Sequence, residues 1–236
     1  MIFNKLSTFF YNNELVSGTI HLNDNDSRHA IKSLRLKEGD NIQLINGIGV
    51  IANAIITAPN PKKTTCEITN SSKSTPPIAL ALAFCPTKNN DRNEWIIEKC
   101  TEIGVTDFFP VFAKHSERRK WNKERMHKIA IAAIKQSGNL WLPNIHEPCN
   151  YDQLFKSIDP FKNRFIAHCI SSQKKVLNKL IQQNDSQLIL IGPEGDFNKD
   201  ELDMALKNGF KEVILSNNTL RTETAAILSI AIMKGF

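Results

Sequence analysis

The chain has 236 residues, 41% hydrophobic and 23% charged, which allows one large domain or two modest ones and excludes disordered, collagenous and low-complexity classes. Its 30 Lys and Arg against 24 Asp and Glu leave a formal charge of +6, a lean toward polyanions that charge alone does not decide. The most apolar stretch, Ala225 to Met233, falls short of the about 18 residues of a membrane span and is broken by Ser229, and the N-terminus lacks the apolar core of a signal peptide, so a soluble cytoplasmic protein with no membrane contact is expected.

From Met1 to about Ser74 the apolar residues alternate. Gly18–Leu22, Asn41–Gly47, Val50–Thr57 and Thr64–Thr69 read as short strands, separated by turns at Glu38-Gly39-Asp40, Asn46-Gly47-Ile48-Gly49 and Pro59-Asn60-Pro61. That spacing suggests a small antiparallel β-barrel, interrupted by one helix from Asp26 to about Leu34. Ser71 to Pro77 reads as a linker. Beyond it strands alternate with helices: strand Ile78–Phe84, helix Asn90–Ile103, strand Phe108–Phe112, helix Lys123–Ser137, strand Arg164–Cys169, helix Lys174–Gln182. Strand Gln187–Ile191, helix Lys199–Asn208, strand Glu212–Leu215 and helix Thr222–Met233 complete the series, the pattern of a mostly parallel α/β sheet. Cys66, Cys85, Cys100, Cys149 and Cys169 form no C-x-x-C pair; they read as buried thiols in a reducing compartment, and no metal site is expected.

Two loops stand out. The buried strand ending at Ile191 runs into Gly192-Pro193-Glu194-Gly195-Asp196, where glycines let backbone approach a ligand. The segment is neither a dinucleotide fingerprint nor a P-loop, and an ordinary strand-to-helix turn capped by Asn198 is the alternative. Leu215 to Ala226 again takes a strand through a polar loop into a helix. Arg221 there is either an ion-pair partner of Glu194 or Glu223, or a contact to substrate or phosphate. Consecutive strand–loop–helix units bring both loops to one edge of the sheet, where a crevice is the default ligand site. His21, His127 and His146 have no motif around them.

Gly192-Pro-Glu-Gly followed by Leu220-Arg-Thr-Glu-Thr-Ala resembles the paired motif of the RsmE family, SPOUT-superfamily methyltransferases of uracil N3 in 16S ribosomal RNA. Lys99-Cys-Thr-Glu-Ile-Gly-Val105, Lys135-Gln-Ser-Gly-Asn-Leu-Trp-Leu-Pro143 and His29–Asp40 are similar to further family blocks, in the same order along nearly the whole chain. Asp196 departs from the family pattern, standing where a second glycine is usual; Lys135 replaces the usual Glu and Asn139 the usual Arg. Ser216–Thr219 lacks the glycine with which the family's loop more often begins.

The resemblance implies an α/β protein: a PUA-like RNA-binding β-barrel over 1–72 and a SPOUT domain over 75–236 with a deep trefoil knot, dimerising through the knotted region. It implies S-adenosylmethionine as cofactor, bound around His168, Ile191, Gly192, Pro193, Glu194, Gly195, Leu215, Leu220, Thr222 and Ala225. Arg221, Glu194 and Glu223 are the catalytic candidates. Two basic clusters, Arg28, Lys32 and Arg35, and Lys114, Arg118 and Arg119, are candidates to meet RNA backbone. The expected substrate is 16S ribosomal RNA, within the small ribosomal subunit. A SPOUT methyltransferase for another RNA position and a non-catalytic RNA-binding adaptor are the alternatives.

Overall fold

The computed structural model describes residues 9–15, 18–116, 120–170 and 172–236. Two compact units emerge: Met1–Pro76 with Ile131–Leu142, and Pro77–Ala130 with Pro143–Phe236. Residues 131–142, within the stretch 75–236 that the sequence reads as one domain, belong to the first unit.

The first unit contains strands β1 (Phe9–Tyr11) and β2 (Thr19–His21), then helix α1 (Asp24–Arg28), which continues as a π-helical turn over His29–Ser33. Strands β3 (Asn41–Ile45), β4 (Val50–Ala58) and β5 (Thr65–Lys73) follow. They form a five-stranded sheet in the order β1-β3-β4-β5-β2, antiparallel except for the β1–β3 pair. The period-2 pattern works as read: Ala52, Ala54 and Ile56 are buried on one face of β4 and join Phe10, Leu44 and Cys66 in a core. The helix starts earlier than expected because Asn23, not Asp26, caps it, its side chain accepting the Asp26 N–H at 2.9 Å. β5 runs to Lys73, so the irregular linker is shorter than expected.

The 131–142 stretch joins this unit through apolar and polar contacts. Ile134 is buried with Phe9 and Ile45, and Tyr11, Ile51, Leu140 and Leu142 pack around them. The Lys135 ammonium pairs with the buried Asp26 carboxylate. Trp141 Nε1 donates to Ser74 Oγ at 2.9 Å, and its indole lies where a side chain on Gly49 would stand, so only glycine serves there. Arg28, Lys32 and Arg35 are all exposed.

The second unit is built on β6 (Leu80–Phe84), α2 (Asn90–Ile103), β7 (Asp107–Phe112), α3 (Lys123–Ser137, shared with the first unit) and β8 (Asn144–Ile145). Next come β9 (Cys149–Asn150), α4 (Tyr151–Leu154), β10 (Asn163–Ala167), β11 (Lys175–Val176) and a 3-10 turn over Leu177–Lys179. β12 (Gln187–Ile191), α5 (Lys199–Lys207), β13 (Phe210–Ile214) and α6 (Thr222–Lys234) end the chain. The sheet is parallel throughout, in the order β11-β13-β10-β12-β6-β7-β8, with β9 pairing β7. All five residues of β6 and of β12 are buried, as expected of central parallel strands covered on both faces. After β12 the chain passes beyond β10 to form β13, and α6 then returns to pack on β12, β6 and α2.

One expected helix, Lys174–Gln182, is absent. Lys175 and Val176 instead add an edge strand to β13, and Leu177 is buried in the 3-10 turn. Val176, Leu177, Leu180 and Ile181 imitate a helical stripe, but backbone pairing with β13 overrides it. Cys66, Cys85 and Cys100 are buried as expected, and burial pushes the Cys66 and Cys85 thiols up to about 11 and about 12. Cys169, however, is exposed.

Candidate functional site

The parallel sheet directs the carboxyl ends of β10, β12 and β13 to one edge, and a cavity of about 450 Å³ opens there. That size lies within the about 300–1,000 Å³ typical of small-ligand sites, and the position is where open α/β sheets bind ligands. Ala167, Ile191 and Val213 bring the three strands to it, and the loops 192–196 and 215–221 frame it.

The 192–196 loop is shaped by close contacts. A Cβ on Gly192 would stand 2.9 Å from the Phe197 ring, so the chain passes this aromatic only as glycine. The Thr222 hydroxyl, buried at the start of α6, donates to the Gly192 carbonyl at 3.1 Å and ties the two framing loops together. Asn198 caps α5 in a capping box with Glu201. The buried Glu201 carboxylate also accepts the Lys114 N–H at 2.7 Å, holding the loop after β7 against this turn.

Of the expected cofactor-binding residues, His168, Ile191, Gly192, Pro193, Glu194, Leu215, Leu220, Thr222 and Ala225 line the cavity. Gly195 does not: it is exposed, and a side chain there would meet His115 at 3.2 Å instead of filling the cavity. Sequence reasoning missed Cys169, Lys174 and Asp196 as lining residues. Asp196 was visible as a departure from the family pattern. Lys174 was hidden by the mistaken helix.

The His168 side chain is fully buried, with Nε2 3.0 Å from Glu212 Oε1. Burial, then the nearby Lys174 ammonium, holds its pKa below the ordinary histidine value against the opposing pull of Glu212. Lys174 Nζ donates to the His168 carbonyl at 2.5 Å, and Ser172 Oγ donates to Glu212 at 2.7 Å.

Arg221 lines the cavity, is exposed, and makes no side-chain hydrogen bond or ion pair among the described residues. The expected alternative, an ion pair with Glu194 or Glu223, is therefore not formed. Glu194 lines the cavity and is exposed. Glu223 does not line it; its carboxylate lies 3.5 Å from Arg92 Nε on α2. Lys114 is exposed, whereas Arg118 and Arg119 lie outside the described residues. No metal-binding cluster of His, Cys, Asp and Glu occurs among the described residues, and no helix there is long and apolar enough to cross a membrane.

Comparison with known proteins bears on both units. Residues 74–234 match the model of an RNA methyltransferase domain and residues 22–69 that of an RNA methyltransferase PUA domain. Ribosomal RNA small subunit methyltransferase E of Rickettsia conorii is 28% identical over 240 residues, covering 96% of this chain and 94% of that protein. Its namesake in Bacillus subtilis is 26% identical over 228 residues, covering 90% and 88%. Among solved structures, a probable rRNA-methyltransferase from Porphyromonas gingivalis is 31% identical at a TM-score of 0.88, covering 94% of this chain and 95% of that one. Ribosomal RNA small subunit methyltransferase E from Neisseria gonorrhoeae, solved bound to S-adenosyl methionine, is 27% identical at a TM-score of 0.87, covering 97% of each chain. The chain belongs to the RsmE family of RNA methyltransferases, with a methyltransferase domain preceded by a PUA-like domain.

Proposed function

We propose that this protein transfers a methyl group from S-adenosylmethionine to N3 of a uridine in 16S ribosomal RNA. The observation that carries the reading is the 450 Å³ cavity between two loops that Thr222 and Gly192 tie together, at the carboxyl edge of a parallel sheet. Its lining suits the cofactor: Ile191, Val213, Leu215, Leu220 and Ala225 offer apolar surface to an adenosine, and the strand-end loops offer backbone donors and acceptors.

S-adenosylmethionine supplies an electrophilic methyl group on a sulfonium. The protein's part is to align that methyl with the ring nitrogen and to favour the anion formed when N3 loses its proton. In this reading Ile191, Gly192, Leu215 and Leu220 hold the adenosine through backbone groups. Arg221, a planar cation whose donors are free, presents them to the uracil carbonyl oxygens on either side of N3. Glu194, exposed on the cavity wall, receives the N3 proton in this reading. Glu223 serves instead to hold Arg92.

The exposed Arg28, Lys32 and Arg35 of the first unit and Lys114 of the second provide charge for the RNA backbone, within the small subunit. We read the sheet order as the frame of a deep trefoil knot: β13 lies beyond β10, while α6 returns to β12 and β6. The protein acts as a homodimer in the cytoplasm. The test is mass-spectrometric mapping of 16S ribosomal RNA from a strain lacking the gene, before and after complementation. The expected result is one 3-methyluridine lost and restored. Another base, another position, or no change overturns the assignment, the last pointing to a binding adaptor.

A further inference from the structure

Asp196 has a backbone conformation that its residue type adopts only at a cost. Its φ is 57°, in the left-handed region that glycine occupies freely and Asp and Asn tolerate better than other residues with a side chain. A left-handed residue beside a cavity needs a reason, and the hydrogen bonds supply one. Asp196 Oδ2 accepts the Cys169 N–H at 2.8 Å, and Oδ1 accepts the Phe197 N–H at 2.9 Å. The first of these crosses from the loop after β12 to the loop after β10. The Asp196 N–H donates to the Pro193 carbonyl at 3.0 Å, closing the turn, and its own carbonyl oxygen lies 3.2 Å from His115 Nδ1 in the loop after β7. One residue thus meets three loops at the carboxyl edge of the sheet.

We propose that Asp196 is a positioning residue for the cofactor cavity: its carboxylate clamps the loop after β10 to the loop after β12 and so fixes the distance between two walls. Asp196 and Cys169 both line the cavity. A bond between an ionised carboxylate and a backbone N–H is stronger than its neutral counterpart, so a single side chain suffices to hold the two loops in register. Without it, cofactor binding would have to order the loop after β10 at the moment of association, which weakens affinity without touching the chemical step.

This inference rests on the cavity being the S-adenosylmethionine site, and the experiment separates the two. Asp196→Gly in the full chain accepts the left-handed backbone and removes only the carboxylate; Asp196→Asn keeps the backbone tolerance and one acceptor oxygen. Hydrogen exchange of the protein without ligand should show the Cys169 amide exchanging faster in Asp196→Gly. Calorimetry with S-adenosylmethionine should show the dissociation constant raised about tenfold, the scale of one lost charge-assisted hydrogen bond, with Asp196→Asn in between. The single-turnover rate at saturating cofactor should stay at the wild-type level. Unchanged exchange at Cys169, or unchanged affinity in Asp196→Gly, overturns the clamp. An Asp196→Asn affinity as poor as that of Asp196→Gly also overturns it, in favour of a direct charge contact with the ligand. If the wild type takes up no S-adenosylmethionine, the functional reading fails, and the exchange result alone decides whether the carboxylate ties the loops.

Discussion

Replacing Arg221 with alanine separates catalysis from structure, because the guanidinium is exposed and has no partner among the described residues. Truncating such a side chain changes stability by no more than about 0.5 kcal/mol. In a protein of this length that is about 1–2 °C in melting temperature. In the proposed mechanism the same truncation removes one preorganised charged donor from the uracil, a loss of about 10²–10³ in rate or about 2.7–4 kcal/mol. The expected outcome is therefore a protein that melts with the wild type, binds S-adenosylmethionine normally and is about 100-fold slower in a single turnover on its RNA. Arg221→Lys keeps the charge but loses the planar fork and should recover only part of the rate. Single-turnover kinetics, cofactor titration and thermal melting of both variants test this. A stable Arg221→Ala protein with near-normal turnover refutes the catalytic role; a joint fall in stability and cofactor affinity makes the residue structural.

His168 resists protonation in the fold, so the unfolded chain takes up a proton that the folded one refuses, and its contribution to stability declines as pH drops below about 6.5. The stability advantage of wild type over His168→Gln should shrink between pH 7.5 and 5.5 in urea unfolding, and parallel curves would contradict the assignment. Gly192→Ala drives a methyl group into the Phe197 ring and should cost about 1–3 kcal/mol, seen as a melting temperature lower by several degrees. An unchanged melting point would mean that the loop yields. Lys135→Met leaves the Asp26 carboxylate buried without its cation. The loss should approach but not reach the about 3–5 kcal/mol of a broken buried pair, since Asn23 Nδ2 still donates to the other Asp26 oxygen. A loss under about 0.5 kcal/mol in urea unfolding would class the pair with ordinary surface ones.

Residues whose fate depends on their own segment could be read from sequence. The apolar runs of β6 and β12 and the glycines after Ile191 each announce a local geometry, and α2, α3 and β12 lie where periodicity puts them. The cavity was legible for the same reason: two strand-to-helix loops in one parallel sheet must open on one edge. What escaped are contacts between distant segments that the sheet order brings together. Asp196 and Cys169 are 27 residues apart, and His168 and Glu212 are 44 apart. No periodicity in either member of such a pair announces the other. The lost helix at Lys174 is the same failure in backbone form, because only the presence of β13 alongside turns that segment into a strand.

The ownership of residues 131–142 has a consequence for the order of events during synthesis. The first unit draws Ile134, Leu140 and Leu142 into its apolar cluster and Lys135 into its ion pair with Asp26. Those side chains leave the ribosome well after Pro76, once the 77–130 part of the second unit has already been made. At about 5–20 residues per second the nascent N-terminal sheet waits several seconds for them, with Phe9 and Ile45 uncovered. Cutting the gene at the boundary between the two units therefore does not yield two self-sufficient pieces. A fragment starting at residue 75 carries an apolar strip with nothing to cover it, and one ending at residue 76 lacks part of its own core. Exchange of the PUA-like unit between relatives, in the laboratory or in evolution, must carry this later stretch along with it.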